Sequence, residues 1–456
     1  MSLNYDEFLR SACTFQSQTH HDCIRHFWRG SLVIAMPGAC RQRSVPHVDL
    51  DITLSFDEAG LLPDLADPAI YAVEDGLEIL TQVQQADRVY WNRSNLVQDF
   101  WAVTGWAEAR AFFMDARSFS SSQGMNVGQN DESAKSAAGN MLIVTDQPRH
   151  RVMRRIIAPL LETGQLAQLR PGMEALLSRT IEPLVDGPDF DCVGVLTSVL
   201  PAYTICKFLG VPDSDVAEIT QLVRIAYDVD AEAGDQTKIR KFEANAGLFD
   251  YFGRLIERRR HAPQQDTVSR MMTDRFQGLG LTADEMVFNL HGLITGGNET
   301  TRHASTGAIL AFADHPDQWE MLRADPEQVP RAVEEVMRWT SPSLNLMRTC
   351  VADTVLAGKQ IRCGERVSAW FPIINRDPLK FDAPNRFRVD RDPNPHLTFG
   401  LGAHACVGGA MARYEVALLL ECLARFVARF ERAGPVRRLR SNLLWGIVEA
   451  PVRLRS

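Results

Sequence analysis

One cysteine set among glycines stands out as the residue best placed to do chemistry. In Phe399-Gly400-Leu401-Gly402-Ala403-His404-Ala405-Cys406-Val407-Gly408, the glycines at 400, 402 and 408 permit tight turns and close approach to a flat ligand. An apolar helical pattern over 406–430 starts at that cysteine. The sulfur is therefore expected at a helix N-terminus, where backbone N–H groups and the helix dipole favour thiolate over thiol. Such a thiolate is a soft, electron-donating ligand, suited to haem iron that must cleave an O–O bond. Phe399 is placed to screen it from water. The other cysteines, at 13, 23, 40, 192, 206, 350, 363 and 422, show no C-x-x-C spacing, so neither a disulfide framework nor a zinc site follows. They read as small buried hydrophobes in a reducing compartment.

Three further strings carry polar groups at helical spacing. In Glu335-Val336-Met337-Arg338 the acid and the base share a helix face. In Gly296-Gly297-Asn298-Glu299-Thr300 two glycines interrupt an otherwise apolar helix, a cost in stability that calls for a local reason. In Asp146-Gln147-Pro148-Arg149-His150, followed by Arg154 and Arg155, His150 and Arg154 lie four apart on one face.

Together these strings resemble the cytochrome P450 family, of the bacterial, soluble, ferredoxin-dependent type. The cysteine loop matches F-x-x-G-x-H-x-C-x-G at every fixed position, and the others are similar to the family's E-x-x-R, (A/G)-G-x-(D/E)-T and D-x-P-x-H-x-x-x-R elements, in the same order. Gln147 stands where the family usually has Pro, and Gly296 where Ala is common.

The resemblance implies haem b (iron protoporphyrin IX) with Cys406 as the iron ligand, and propionates held by His150, Arg154, Arg348 and His404. Gly297 and Phe399 would also line the cofactor. Glu299 and Thr300 would be the catalytic pair that manages protons, and Glu335 and Arg338, with Arg386 of Pro384-Asn385-Arg386-Phe387, would brace the haem loop. Leu293, Gly296, Leu344 and Asn345 are candidates for the substrate pocket. The implied reaction is dioxygen activation to hydroxylate or otherwise oxidise a small-molecule or carrier-bound substrate, in secondary-metabolite biosynthesis. Desaturation, coupling and peroxygenase chemistry on the same haem are alternatives, and a non-catalytic haem-thiolate sensor is a more distant one. The chain carries no flavin or nicotinamide fingerprint, so electrons from NAD(P)H are expected through a reductase and a ferredoxin or flavodoxin. An acidic partner of that kind would dock near Arg151, Arg155 and Arg413.

The elements that must position these residues read as mainly α with small β-sheets, the P450 fold, with haem between a long central helix and the cysteine loop. Thr282 is a cap for that helix, which runs to about Phe312. Strand patterns occupy 87–91 and 100–104, and 351–371 reads as a hairpin. Residues 118–140, rich in Ser, Gly and Asn, read as a mobile loop, and 142–161 as one helix opened by Asp146 and Pro148. Residues 1–66 read as an extension without regular structure, and 67–456 as the catalytic domain. The composition, with 45% hydrophobic and 23% charged residues, is that of a globular chain. A net charge of -8 argues against a nucleic-acid partner. No signal peptide or membrane anchor is visible, so a cytoplasmic location is expected.

Overall fold

The computed structural model describes residues 62–73, 75–128, 131–227 and 235–456. The reading of residues 1–61 as an irregular extension lies outside them. Residues 62–66, assigned above to that extension, belong to the folded body instead. Leu65 and Ala66 are buried in a cluster with Tyr71, Phe100 and Trp370, and the Leu65 N–H donates to Asn92 Oδ1 at 3.0 Å.

The helices, in chain order, are α1 (Gly76–Ala86), α2 (Trp106–Met114), α3 (Asp131–Ala137), α4 (Arg149–Ile157), α5 (Thr163–Ile181), α6 (Val199–Leu209), α7 (Val216–Tyr227), α8 (Asp235–His261), α9 (Thr267–Thr273), α10 (Ala283–Asp314), α11 (Pro316–Ala324), α12 (Val329–Thr340), α13 (Phe371–Ile374) and α14 (Gly409–Phe426). The strands are β1 (Val89–Asn92), β2 (Phe100–Val103), β3 (Phe119–Ser120), β4 (Phe190–Asp191), β5 (Asn345–Cys350), β6 (Thr354–Leu356), β7 (Lys359–Ile361), β8 (Arg366–Trp370), β9 (Arg429–Arg432), β10 (Arg437–Arg438), β11 (Ile447–Glu449) and β12 (Pro451–Arg455). Five of them form a mixed sheet in the order β1-β2-β8-β5-β3, and β4-β12-β9 form a second sheet. Among the described residues no helix is long and apolar enough to cross a membrane.

Two of these elements position the site. The first is α10, opened by a reciprocal capping box in which Thr282 Oγ1 accepts from the Glu285 N–H and the Glu285 carboxylate accepts from the Thr282 N–H. Its 32 residues extend about 48 Å. Apolar residues cover most of its sides, because one core cluster, with Ala308, Ile309 and Phe312, packs it near α12 and α14, and another, with Leu290 and Ile294, packs it near α6 and α8. The second is β5, whose residues Asn345, Leu346, Met347, Arg348 and Thr349 pair antiparallel with β8 and whose far end pairs with β3.

Segments 118–140 and 142–161 differ from their sequence reading. The first contains β3 and α3. Ser120 and Ser121 are tied to the Asp146 carboxylate, and the Met347 N–H donates to the Met125 carbonyl at 2.7 Å. Ser120 and Ser121 are thus hydrogen-bonded anchors. The second is a 3-10 turn over Leu142–Val144, then α4, then a 3-10 turn over Ala158–Leu161. The residue before a proline is disfavoured in helix, and the Asp146 side chain is spent on the serines, so α4 starts only at Arg149.

Packing of α10 on α8 yields a pH prediction. The His291 ring stacks on Phe249 at 4.4 Å, and its Nε2 lies 2.8 Å from Asn245 Oδ1. Asn245 Nδ2 donates to the Lys241 carbonyl at 2.7 Å, which leaves Oδ1 as the acceptor and puts the imidazole proton on Nε2. Burial pushes the His291 pKa down to about 4, below its unfolded value of about 6.5. The unfolded chain therefore takes up this proton more readily. Stability from neutral His291 is complete above the unfolded pKa and is lost as pH falls toward 4. Urea denaturation at pH 7 and pH 5 should show a larger loss for wild type than for His291→Gln; equal losses would refute the assignment.

Candidate active site

The cysteine loop is built by backbone geometry. Gly400 and Gly402 adopt φ of 65° and 75°, a left-handed conformation that favours glycine. At Gly402 a Cβ would also lie 2.9 Å from the Phe113 carbonyl. A 3-10 turn spans Gly402–His404, and the Cys406 N–H donates to the Phe399 carbonyl at 2.7 Å, closing the loop.

Cys406 lies in the turn before α14, since Gly408 is the N-cap and the helix begins at Gly409. It is thus not the first helical residue. Its side chain is exposed by accessible area, yet it sits deep enough for burial to dominate its ionisation. The two agree if the sulfur faces an internal hollow. Burial raises the thiol pKa, outweighing the Gly408 N–H, Arg154 and Arg413, which favour thiolate. The expected lowering by the helix end is therefore not the net result for the polypeptide alone. A metal ion would supply the missing stabilisation by deprotonating the thiol.

Four cationic or potentially cationic groups gather near the loop. Arg348 on β5 is 1% exposed, and its guanidinium lies over the Phe112 and Phe113 rings and donates to the carbonyls of Phe113 at 3.2 Å and Phe112 at 3.5 Å, with no carboxylate partner among the described residues and Nε unpartnered. His150 and His404 face each other with ring centroids 4.2 Å apart. Gln147 Nε2 is 3.1 Å from His150 Nδ1, so the proton belongs on His150 Nε2, a buried donor with nothing to donate to. Arg154 donates to the Ala405 carbonyl at 2.7 Å, gripping the loop itself. Burial, then Arg154, pushes the His150 pKa down to about 4. Burial, then His150 and Arg348, pushes that of His404 to about 3. Burial also brings the Arg348 guanidinium down to about 10. Orphaned donors and mutually repelling charges are costly unless an anion joins them. The two propionates of haem have the charge and acceptor atoms to do so, and the residues present fit that group.

On α10, a Cβ at Gly296 would meet nothing within 4 Å, so this position borders open space. Thr300 Oγ1 donates to the Gly296 carbonyl at 2.8 Å. Gly297 has a packing role. Its Cβ would come within 3.1 Å of Ile205 Cδ1, so it allows α6 and α10 to approach. The Glu299 carboxylate is 4% exposed and ion-paired with Arg302, with His303 Nε2 at 3.9 Å. Glu299 and Thr300 are neighbours in sequence, but no hydrogen bond joins their side chains.

Of the pocket candidates, Leu293 packs at the edge of a core cluster and Gly296 borders open space. Leu344 and Asn345 are scaffold. Leu344 is 0% exposed in the cluster with Tyr71 and Trp370. Asn345 Nδ2 donates to the Asn442 carbonyl at 2.5 Å and its Oδ1 accepts from Ser368 Oγ at 3.1 Å, which leaves little of the amide for a ligand.

The bracing network corrects one residue. Glu335 and Arg338 are 0% exposed and joined by two bonds of 2.8 Å. The second arginine on Glu335 is Arg391, with Nε 2.9 Å from Oε2; Arg386 contributes only its carbonyl, which accepts from Arg338 and Arg391. The Arg388 N–H and Asn394 Nδ2 complete the shell around the carboxylate. Arg413, expected to be a docking cation, is paired with Glu334. Arg151 and Arg155 are exposed, each 5.9 Å from the Phe276 ring centroid.

A family model described as Cytochrome P450 matches residues 233–450. Cytochrome P450 NovI of Streptomyces niveus is 33% identical over 400 residues, covering 86% of this chain and 96% of the relative. Linalool 8-monooxygenase of Pseudomonas putida is 29% identical over 393 residues, covering 84% of this chain and 97% of the relative. The crystal structure of P450 OxyD, described as involved in the biosynthesis of vancomycin-type antibiotics, matches with a TM-score of 0.79 at 32% identity, covering 86% of this chain and 99% of that one.

Proposed function

The chain belongs to the cytochrome P450 family, and on that premise we propose that Cys406 ligates the haem iron of a monooxygenase acting on a small organic compound of secondary metabolism. The enzyme is an oxidoreductase that takes haem and draws its electrons from outside the chain. Haem, when bound, supplies the activation of dioxygen and the oxygen atom transferred. Every other contribution is the protein's.

The observation that carries the reading is the group of unanswered donors, His150 Nε2 and Arg348 Nε, gathered with Arg154 and His404 around the Cys406 loop. His150, Arg154, Arg348 and His404 would neutralise two propionates and fix the cofactor's orientation. Gly296 leaves open space along α10, next to Thr300. Thr300 Oγ1, which donates to the Gly296 carbonyl, must turn its proton from that carbonyl to serve the space. The Glu299 carboxylate, to relay protons there, must first part from Arg302. OxyD's stated involvement in antibiotic biosynthesis supports the metabolic setting.

Thr300→Ala should cut product formed per NADPH by about tenfold, with a matching rise in released hydrogen peroxide, because a positioned proton donor is lost. Unchanged coupling would remove Thr300 from the relay. One observation favours a second reading, peroxide-driven turnover: Glu299 is held by Arg302. Comparing NADPH-driven with peroxide-driven turnover of a single substrate separates the two, and rates at least as high with peroxide would favour the second.

The electron donor is proposed to be an acidic ferredoxin or flavodoxin meeting Arg151 and Arg155, now without Arg413. Reversing both charges should lower the association rate on the order of tenfold and flatten its dependence on salt. Unaltered rates would place docking elsewhere. The reading as a whole is tested by titrating the purified haem protein with a library of natural products and following the Soret band. A subset should shift it to shorter wavelength, whereas a protein without bound haem would contradict the proposal.

A further inference from the structure

A network outside the bracing triad reaches the cysteine loop from the side of α12. The Glu334 carboxylate accepts from Arg413 at 2.5 Å (Nε) and 2.9 Å (Nη2), and lies 3.0 Å from His396 Nε2. The Thr398 N–H donates to His396 Nδ1 at 3.3 Å, so the imidazole proton sits on Nε2 and points at Glu334. Burial would raise the Glu334 pKa, but the hydrogen bonds from His396 and Arg413 prevail and hold it at about 2, so this acid stays charged.

Arg413 also lies over the Phe399 ring, 4.2 Å from its centroid, and donates to the Gly409 carbonyl at 3.3 Å. Phe399 is the residue whose carbonyl holds the Cys406 N–H. A cation on an aromatic face is attracted by the ring quadrupole, all the more when partly desolvated. Glu334 thus fixes the guanidinium in plane while partly cancelling its charge.

We propose that Glu334 and Arg413 form a charge-balanced clamp on Phe399 that sets the reduction potential of the iron held by Cys406. This rests on Cys406 being the haem ligand. Glu334 and Arg413 are positioning residues, acting on that ligand through Phe399 and through space. Adding an electron to the metal site makes it more negative, so an uncompensated cation nearby favours reduction and an uncompensated anion opposes it. The pair therefore works as a set-point that neither residue provides alone.

The test is the midpoint potential of the purified haem protein, measured by dye-coupled spectroelectrochemistry on wild type, Glu334→Gln, Arg413→Gln and the double variant. Glu334→Gln should move the potential up, Arg413→Gln should move it down, and the double variant should return close to wild type. A purely structural role would shift both single variants in the same direction or neither, and either result overturns the proposal. If Arg413→Gln takes up no haem, Arg413→Lys decides, since it keeps the charge. A potential near wild type supports charge balance, and a shift as large as that of Glu334→Gln overturns it. The carbon monoxide spectrum of the reduced wild type separates this question from its premise, because loss of the thiolate-type band would indict Cys406 itself, not the clamp.

Discussion

Cys406→Ala should fold, keep its stability, and lose monooxygenase turnover by more than about 10³-fold, equivalent to more than ~4 kcal/mol of barrier. Stability is expected to survive because the loop is fixed by groups the substitution leaves in place. The backbone N–H of residue 406 still reaches the Phe399 carbonyl, the glycines at 400 and 402 keep their left-handed conformations, and Arg154 still holds the Ala405 carbonyl. What disappears is the soft sulfur that would ligate the iron as thiolate, the group whose electron density favours O–O cleavage. Denaturant titration should give a midpoint close to wild type, and assay with a surrogate ferredoxin system should give almost no product. Product formation within tenfold of wild type would show that the sulfur is not the ligand.

Glu335→Ala carries the largest expected effect on stability. It leaves Arg338 and Arg391 buried without their counter-charge and strips the acceptor from the Arg388 N–H and Asn394 Nδ2. Removing one partner of a buried ion pair costs about 3–5 kcal/mol, a large share of the ~5–15 kcal/mol that holds a domain together. The variant should express poorly and bind substoichiometric haem. Arg386→Ala is the control. Its side chain is exposed and only its carbonyl enters the network, so the loss should stay within ~0.5 kcal/mol. Comparable losses in the two variants, measured by urea denaturation, would put Arg386 back in the role that Arg391 holds here.

That contrast marks where the site was legible in the sequence. Local chemistry could be read directly: Gly400 and Gly402 of the cysteine loop make the tight turns expected of them, the cap at Thr282 starts α10, and Glu335 meets Arg338 across one helical turn. Choices made by tertiary packing could not. Arg386 and Arg391 lie five residues apart in one irregular segment, and which guanidinium turns inward depends on the path of the chain past Asp382 and Ala383, whose carbonyls hold Arg391. Glu299 looked free to serve Thr300, but Arg302, one turn further along the same helix, takes its charge. A carboxylate with an arginine three residues on is a signal that was present and could have been used. Asn345 offered no such hint, because its partners Asn442 and Ser368 are distant in sequence. The polar run at 118–140 reads as loop by composition, and the distant Asp146 is what makes Ser120 and Ser121 structural.

The substrate face follows the same logic. Gly296 and Gly297 are adjacent and alike in sequence, yet one borders open space and the other lets two helices touch. Gly296→Ala should therefore alter which compounds fit with little effect on folding, whereas a side chain at Gly297 must displace Ile205 on α6.

The central claim, that Cys406 presents a thiolate to haem iron, is tested most directly by the carbon monoxide difference spectrum of the dithionite-reduced wild-type protein. The account predicts the strongly red-shifted Soret band characteristic of a thiolate-ligated haem. A band at the position given by histidine-ligated haem, in protein shown to be folded and to contain haem, would contradict it.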